Sequence, residues 1–341
     1  MEVKLFILLL TQSLFLKVSF HRPHPPFDPP QRLWLKEYMK TSGSADASEE
    51  QSLPATQYSR GGLHAWDRHW WPTNKAAPTK EDAGCCGSVP KDEQRRARAG
   101  YAASVRFVDE AAAVVLDAWA EHAEEQATTT NGYSSLVIFL SDHGEMLGDH
   151  YLWRKGYPWD GSARIPLAMR WPTAYENEAS LKLRGGIVSA PVELRDVLPT
   201  MVDAARLAMV QSEPAEMNSS SAPIEKTKTW PPQQLTKMMV GGWSLMELLR
   251  DEQLRNGNEQ PQEEAVLRRH STPALRPLSR PSGAKQWRSW IDLEHAKTYR
   301  APNQWSSLTD GTRWKYLYFA PDRHEQLFDL KLDPFESCDL V

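Results

Sequence analysis

Three cysteines in 341 residues are too few to organise this chain. Cys85 and Cys86 are adjacent and Cys338 lies near the C-terminus, so no Cys-x-x-Cys pair exists to build a structural zinc site. An odd count also argues against a full disulfide framework. Charge of one sign is lacking too: 40 Lys and Arg stand against 44 Asp and Glu, net −4. No segment is strongly basic, so nothing points to a nucleic-acid partner. No apolar run is long enough for a stable membrane span, and no fixed-period repeat is visible. The longest apolar stretch, Leu5 to Leu16, follows a lysine and has the length of a signal-peptide core, but no small-x-small cleavage site follows it. A secretory, lysosomal or extracellular destination therefore stays open. The competing reading is a buried strand over Leu14–Phe20, preceded by extra apolar sequence.

What is present is size, tryptophan and proline. The length allows one large domain, or one domain plus a smaller one. Fourteen Trp and 25 Pro suggest a loop-heavy fold with aromatic-lined surfaces. After the first strand, "HRPHPPFDPP" excludes helix and central strand. A short helix is expected over Gln31–Lys40. A long one is expected over Pro90–Gln126, where Tyr101, Val105, Val108, Ala112, Val115 and Trp119 recur at three- and four-residue steps. Asn131–Gly132 breaks it. "SSLVIFL" (Ser134–Leu140) is apolar on both faces, the pattern of a strand buried between layers of a parallel sheet. Ile165–Pro172 reads as another strand and Val192–Met209 as a helix. Thr41–Ser52, Gln211–Gln234 and Asp251–Gly283 are polar insertions. "WIDLEHA", "WSSLTDGTRWKYLYF" and "EQLFDLKLDP" are short strands, split by a turn at Asp310–Gly311, and predict a small antiparallel sheet. The organisation expected is an α/β domain over residues 14–210, polar insertions over 211–285 around a short ordered segment at 235–250, and a C-terminal subdomain over 286–341.

In open α/β sheets ligands bind beyond the C-terminal ends of the strands. Two clusters sit there: His21 and His24 after Phe20, Asp142 and His143 after Leu140. If both strands were parallel in one sheet, the clusters would share an edge. Asp142 is a hard oxygen donor suited to Ca²⁺ or Mg²⁺. His143 is either a softer ligand or a hydrogen-bond partner for a substrate oxygen. Gly144 permits the turn that follows. Lys155 carries a charge that could neutralise a transferring anionic group, and His24 could protonate a leaving group or clamp an anion. Plainer readings stand beside these. The Asp-His pair could be a loop cap, Asp149 and His150 simply solvated, and Arg154 and Arg164 surface or ion-pair residues. Trp66, Trp70 and Trp71 could be packing, and Cys85 and Cys86 structural or incidental.

"SDHGEMLGDHYLWRKGYPWDGSARIPLAMRWP" resembles the second signature region of the sulfatases, in the alkaline-phosphatase-like superfamily. In the same order, "FLKVSFHRPHPPFDPP" is similar to the family's His-bearing loop after a core strand. "YAASVRFVDEAAAVVLDAW" resembles the helix before the metal strand, and the segment from Asp292 to Leu340 resembles the C-terminal subdomain of arylsulfatase-type members. The resemblance implies an alkaline-phosphatase-like α/β/α sandwich with a small C-terminal antiparallel subdomain. It implies hydrolysis of sulfate esters at a Ca²⁺ site, on a sulfated small molecule or sulfated carbohydrate. Asp142 then looks like a metal ligand. His143 occupies the neighbouring position, as a ligand or a contact to sulfate, and a hard Ca²⁺ ion suits it poorly. Lys155 resembles the sulfate-contacting lysine, and His24 the histidine near the leaving-group oxygen.

The family pattern also includes a first strand ending in paired aspartates, and a Cys- or Ser-x-Pro-x-Arg motif whose first residue becomes the formylglycine nucleophile. Neither is found here; Cys85 and Cys86 lack the Pro and Arg at the needed places. The expectation is a sulfatase-family polypeptide, incomplete at its N-terminus, that binds metal weakly. Two other readings remain: a phosphoester or phosphonate hydrolase of the same superfamily, and a non-catalytic binding protein that keeps the scaffold.

Overall fold

The structure is a computed structural model, and it describes residues 3–10, 13–42, 91–127, 135–171, 183–211, 242–250, 287–295, 304–321 and 323–341. Trp66, Trp70, Trp71, Cys85, Cys86 and the three expected polar insertions, apart from Thr41, Ser42 and Gln211, lie outside these residues. The chain divides into two compact units. The first comprises Met1–Ala168, Leu293–Ser307 and Lys315–Val341; the second comprises Met169–Asp292 and Leu308–Trp314. Among the described residues, no helix is long and apolar enough to cross a membrane.

The first unit opens with an antiparallel hairpin. β1 (Val3–Leu10) pairs with β2 (Ser13–Phe20), with Val3 opposite Phe20 and Leu10 opposite Ser13. The expected strand is there, and β1 supplies its neighbour. Two helices follow, α1 (Gln31–Ser42) and α2 (Lys91–Ala127), close to their expected bounds. They pack together, and two ion pairs cross the seam: Arg32 to Glu110, and Arg106 to Glu37 at 2.7 Å. The most buried face of α2 is made of small residues. Ala99, Ala103 and Ser104 are fully buried. A Cβ placed on Gly100 would stand 2.8 Å from the Phe27 carbonyl oxygen, so only glycine lets the preceding loop lie this close.

β3 (Val137–Leu140) and β4 (Leu167–Arg170) form a two-stranded sheet of their own. This corrects the picture of one sheet edge carrying both histidine and aspartate clusters, because β2 pairs with β1 while β3 pairs with β4. Nor is β3 buried on both faces. Phe139 is half exposed, since among the described residues β3 has a single neighbouring strand. Between β3 and β4 runs the segment 141–166, which contains the short helix α3 (Asp160–Ala163).

The C-terminal sheet follows the expected meander, in the order β5 (Ile291–His295), β6 (Trp305–Thr309), β7 (Trp314–Phe319), β8 (His324–Asp329). The β6–β7 turn closes as its Asp-Gly dipeptide predicts. Gly311 takes a φ of 73°, and one Asp310 carboxylate oxygen accepts the N–H groups of Thr312, Arg313 and Trp314. Burial alternates along β7, so Lys315, Leu317 and Phe319 share the inner face. Leu317, Phe319, Phe328 and Leu330 pack with Met146, Leu152, Tyr157 and Trp159 in one core. The segment that follows β3 is thus built into the hydrophobic centre of the first unit.

The second unit is organised around an arginine. Leu194–Asp196 form a 3₁₀ turn ahead of α4 (Val197–Gln211), and Glu193 and Asp196 cap that turn reciprocally. This delays the α-helix, expected from Val192, until Val197. Arg288 makes a 2.6 Å bond to Glu193 and a forked pair of 2.6 and 2.9 Å bonds to the fully buried Asp196. Its guanidinium lies over Trp243 and Trp287. Asp196 also accepts the Trp243 N–H, ahead of α5 (Met246–Arg250).

Candidate active site

The loop after β2 carries His21 and His24. The two rings stack at a centroid distance of 4.9 Å. His24 Nδ1–H donates to the Pro25 carbonyl at 2.7 Å, which leaves Nε2 of the neutral ring as an acceptor. Arg22 is tied back to Asp28. Phe27 packs edge-on against Tyr101 of α2 at 5.6 Å. The loop is therefore seated on α2 through Gly100 and Tyr101.

The segment after β3 carries the other candidates and is tightly folded. Gly144 N–H donates to the Ser162 carbonyl at 2.8 Å, and Met146 N–H to the Arg154 carbonyl at 2.9 Å. Left-handed backbone is concentrated here: Leu147 (φ 50°), Gly148 (96°), His150 (51°), Arg154 (72°) and Gly156 (90°). Non-glycine residues rarely adopt this geometry, and its clustering is a mark of functional loops. Glu145 sustains it by accepting the N–H groups of Leu147 and Arg154. Arg98, one turn before Tyr101 on α2, donates to the Leu147 carbonyl at 3.0 Å. So α2 holds both candidate loops on neighbouring turns. It replaces the shared sheet edge as the device that brings them together.

The consequence shows in His24. Burial lowers its pKa; the Pro25 hydrogen bond opposes this, and the positive charges of Lys155, His21 and His143 push it further down. Basic groups from two sequence-distant loops thus act on His24. Such a cluster is suited to an anion.

Asp142 projects outward, its side chain 85% exposed, with His143 Nε2 at 3.6 Å from its carboxylate. His143 Nδ1–H donates to the Gly144 carbonyl at 2.8 Å. The resemblance to sulfatases implies a divalent cation. A calcium ion takes about six to eight oxygen ligands. Among the described residues no group of three or more His, Cys, Asp or Glu side chains could hold a metal. Asp142 and His143 alone do not fit a closed calcium shell. Of Asp149 and His150, for which solvation is the plainer reading, His150 is buried: it is 3% exposed and stacks on Trp159 at 4.4 Å.

A model of the sulfatase family, described simply as "Sulfatase", matches residues 5–207. This chain belongs to the sulfatase family. It is 27% identical over 333 residues to an arylsulfatase of Clostridium perfringens, covering 97% of this chain and 50% of that protein. It is 27% identical over 253 residues to a choline-sulfatase of Rhizobium meliloti, covering 74% of this chain and 35% of the relative. The chain thus spans half, or less, of the length of these relatives. A phosphonate monoester hydrolase of Agrobacterium radiobacter superposes on 73% of this chain and 38% of its own, at 22% identity and a TM-score of 0.41.

Sequence reasoning named His24, Asp142, His143 and Lys155 as candidates. It passed over the small-residue face of α2 and over Glu145. The spacing of Ala99, Gly100, Ala103 and Ser104 in "AGYAAS" was a readable signal of close backbone approach; nothing local marks Glu145 as a loop staple.

Proposed function

We propose that this chain carries the anion-gripping part of a sulfuric ester hydrolase of arylsulfatase type. One observation supports the reading most: Lys155 and His143, from the loop after β3, and His21 act electrostatically on His24. In this reading Lys155 meets the non-bridging sulfate oxygens and offsets charge that builds as the sulfur–oxygen ester bond breaks and the sulfuryl group passes to water, giving the free alcohol and sulfate. His143 contacts the sulfate. His24 hands a proton to the leaving-group oxygen. Its lowered pKa makes the protonated ring a stronger acid. Asp142 offers two carboxylate oxygens, so a divalent cation would need further ligands beyond Asp142 and His143. The substrate class is a sulfated small molecule or sulfated carbohydrate, in keeping with relatives named arylsulfatase and choline-sulfatase.

The test is a paired titration of the full chain with an aryl sulfate and the matching aryl phosphonate monoester, following binding and ester cleavage. Preferential handling of the sulfate, lost in Lys155→Ala and His24→Ala, supports the proposal. Preference for the phosphonate would move the chain to the other hydrolase class. Binding without cleavage would favour a non-catalytic sulfate binder.

A further inference from the structure

Lys155 precedes a segment that the C-terminal sheet and its tail grip at both ends. At the near end, Trp305 of β6 donates its indole N–H to the Gly156 carbonyl at 3.1 Å. Ser162 Oγ accepts the N–H of Gly156 at 2.9 Å and that of Tyr157 at 3.1 Å. At the far end, Lys315 of β7 reaches Asp160 at 2.6 Å and Glu336 at 2.7 Å. Glu336 in turn accepts the Asp160 N–H at 2.6 Å. Between these anchors Tyr157, Pro158 and Trp159 are buried. On the other side of Lys155, the Arg154 N–H is held by Glu145. Every backbone neighbour of Lys155 is thus fixed, while its own side chain stays partly open.

A lysine ammonium sits on a long flexible stem, so where it acts depends on where its backbone is held. We infer that Trp305 and Ser162 are positioning residues for Lys155, so that the C-terminal sheet sets the place of the cation at the anion site. Trp305 spends its N–H on the Gly156 carbonyl and acts through Lys155. This deepens the sulfate reading above and rests on it for the role of Lys155.

The test uses the full chain, inorganic sulfate as the probe, and the variants Trp305→Phe, Ser162→Ala and Lys155→Ala. Trp305→Phe keeps a buried aromatic ring but deletes the N–H donor along with part of the indole volume; Ser162→Ala is the second route should that ring repack. Sulfate affinity is read by calorimetry, and amide exchange at Gly156 and Tyr157 by NMR. Trp305→Phe should weaken sulfate binding about three- to ten-fold, the range of one lost hydrogen bond; Ser162→Ala, which loses two, should weaken it at least as much, and both should speed exchange at Gly156 and Tyr157. On top of Lys155→Ala, Trp305→Phe should weaken sulfate no further, because both act through one side chain. A general loosening of the fold would give the same loss in both backgrounds, and that result would overturn the inference. So would wild-type sulfate affinity in Trp305→Phe while Lys155→Ala binds poorly. If Lys155→Ala itself binds sulfate normally, the sulfate reading fails instead. The positioning role then stands or falls on exchange at Gly156: faster in Trp305→Phe supports it, unchanged refutes it.

Discussion

Lys315 is the residue whose environment departs furthest from its type. It is fully buried, and it shares its charge between two carboxylates. Burial alone would lower its pKa, but Glu336 and Asp160 outweigh that and raise it. Burial would likewise push Asp160 up; the charge and hydrogen bond of Lys315, with Arg164, bring it below the ordinary carboxylate value. Glu336 goes the other way, raised chiefly by burial. Lys315→Met should destabilise the fold by about 3–5 kcal/mol in denaturant titrations, because two carboxylates lose their buried cation. Asp160 gives a prediction in pH. A carboxyl whose pKa is depressed by folding contributes stability above its unfolded pKa and loses it as pH falls through the folded value. Wild type should therefore melt higher than Asp160→Asn near neutrality, and the gap should close on acidification below the usual aspartate range. A gap independent of pH would show that Asp160 does not stabilise through its charge.

The elements that matter most for the site are α2 and the segment 141–156. Both His24 and Lys155 are legible as residues; what joins them is not. The apolar repeat of α2 runs through Val105, yet Val105 is 43% exposed while the small residues Ala99 and Ala103 are fully buried. Hydrophobic periodicity marks a helix, but it does not say which neighbours need the backbone close. Gly144 is the sharpest such point in the loop. A Cβ there would collide with the Gly161 carbonyl oxygen and press on that of Arg164. Gly144→Ala should cost about 1–3 kcal/mol through forced backbone shifts. It should also weaken sulfate binding, since His143 is the adjacent residue. Calorimetric melting and sulfate titration on the same sample check both effects. Retained sulfate affinity would mean that the loop yields away from His143.

At the scale of the whole molecule there are two compact units, each with its own buried ionic hub. Arg288, clasped by Glu193 and Asp196 in the second unit, is the counterpart of Lys315 in the first. Regions that open cooperatively reveal themselves in hydrogen exchange. Arg288→Met should speed exchange first in α4 and the 242–250 segment, and Lys315→Met first in β7, β8 and the 156–163 segment. Uniform acceleration across the chain from either substitution would indicate one cooperative unit. Family membership belongs to this scale too. The ordered run from the His21–Pro30 loop to the C-terminal meander was readable because each piece carries local chemistry: prolines, an Asp-His-Gly turn, an Asp-Gly hairpin.

The sequence by itself determined the elements and the chemical types of the site residues, because turn chemistry, periodicity and side-chain charge are local properties. It placed β2, α1, α2 and the four C-terminal strands, and it singled out His24, Asp142, His143 and Lys155. Only the tertiary structure decided what brings those residues together. β2 and β3 pair in separate sheets, and α2 bridges their loops instead. His150 is buried against Trp159, and a lysine lies in the core under the loop that carries Lys155. These outcomes depend on which distant backbones approach and which charges lose water together, and both are settled only when separate parts of the chain pack.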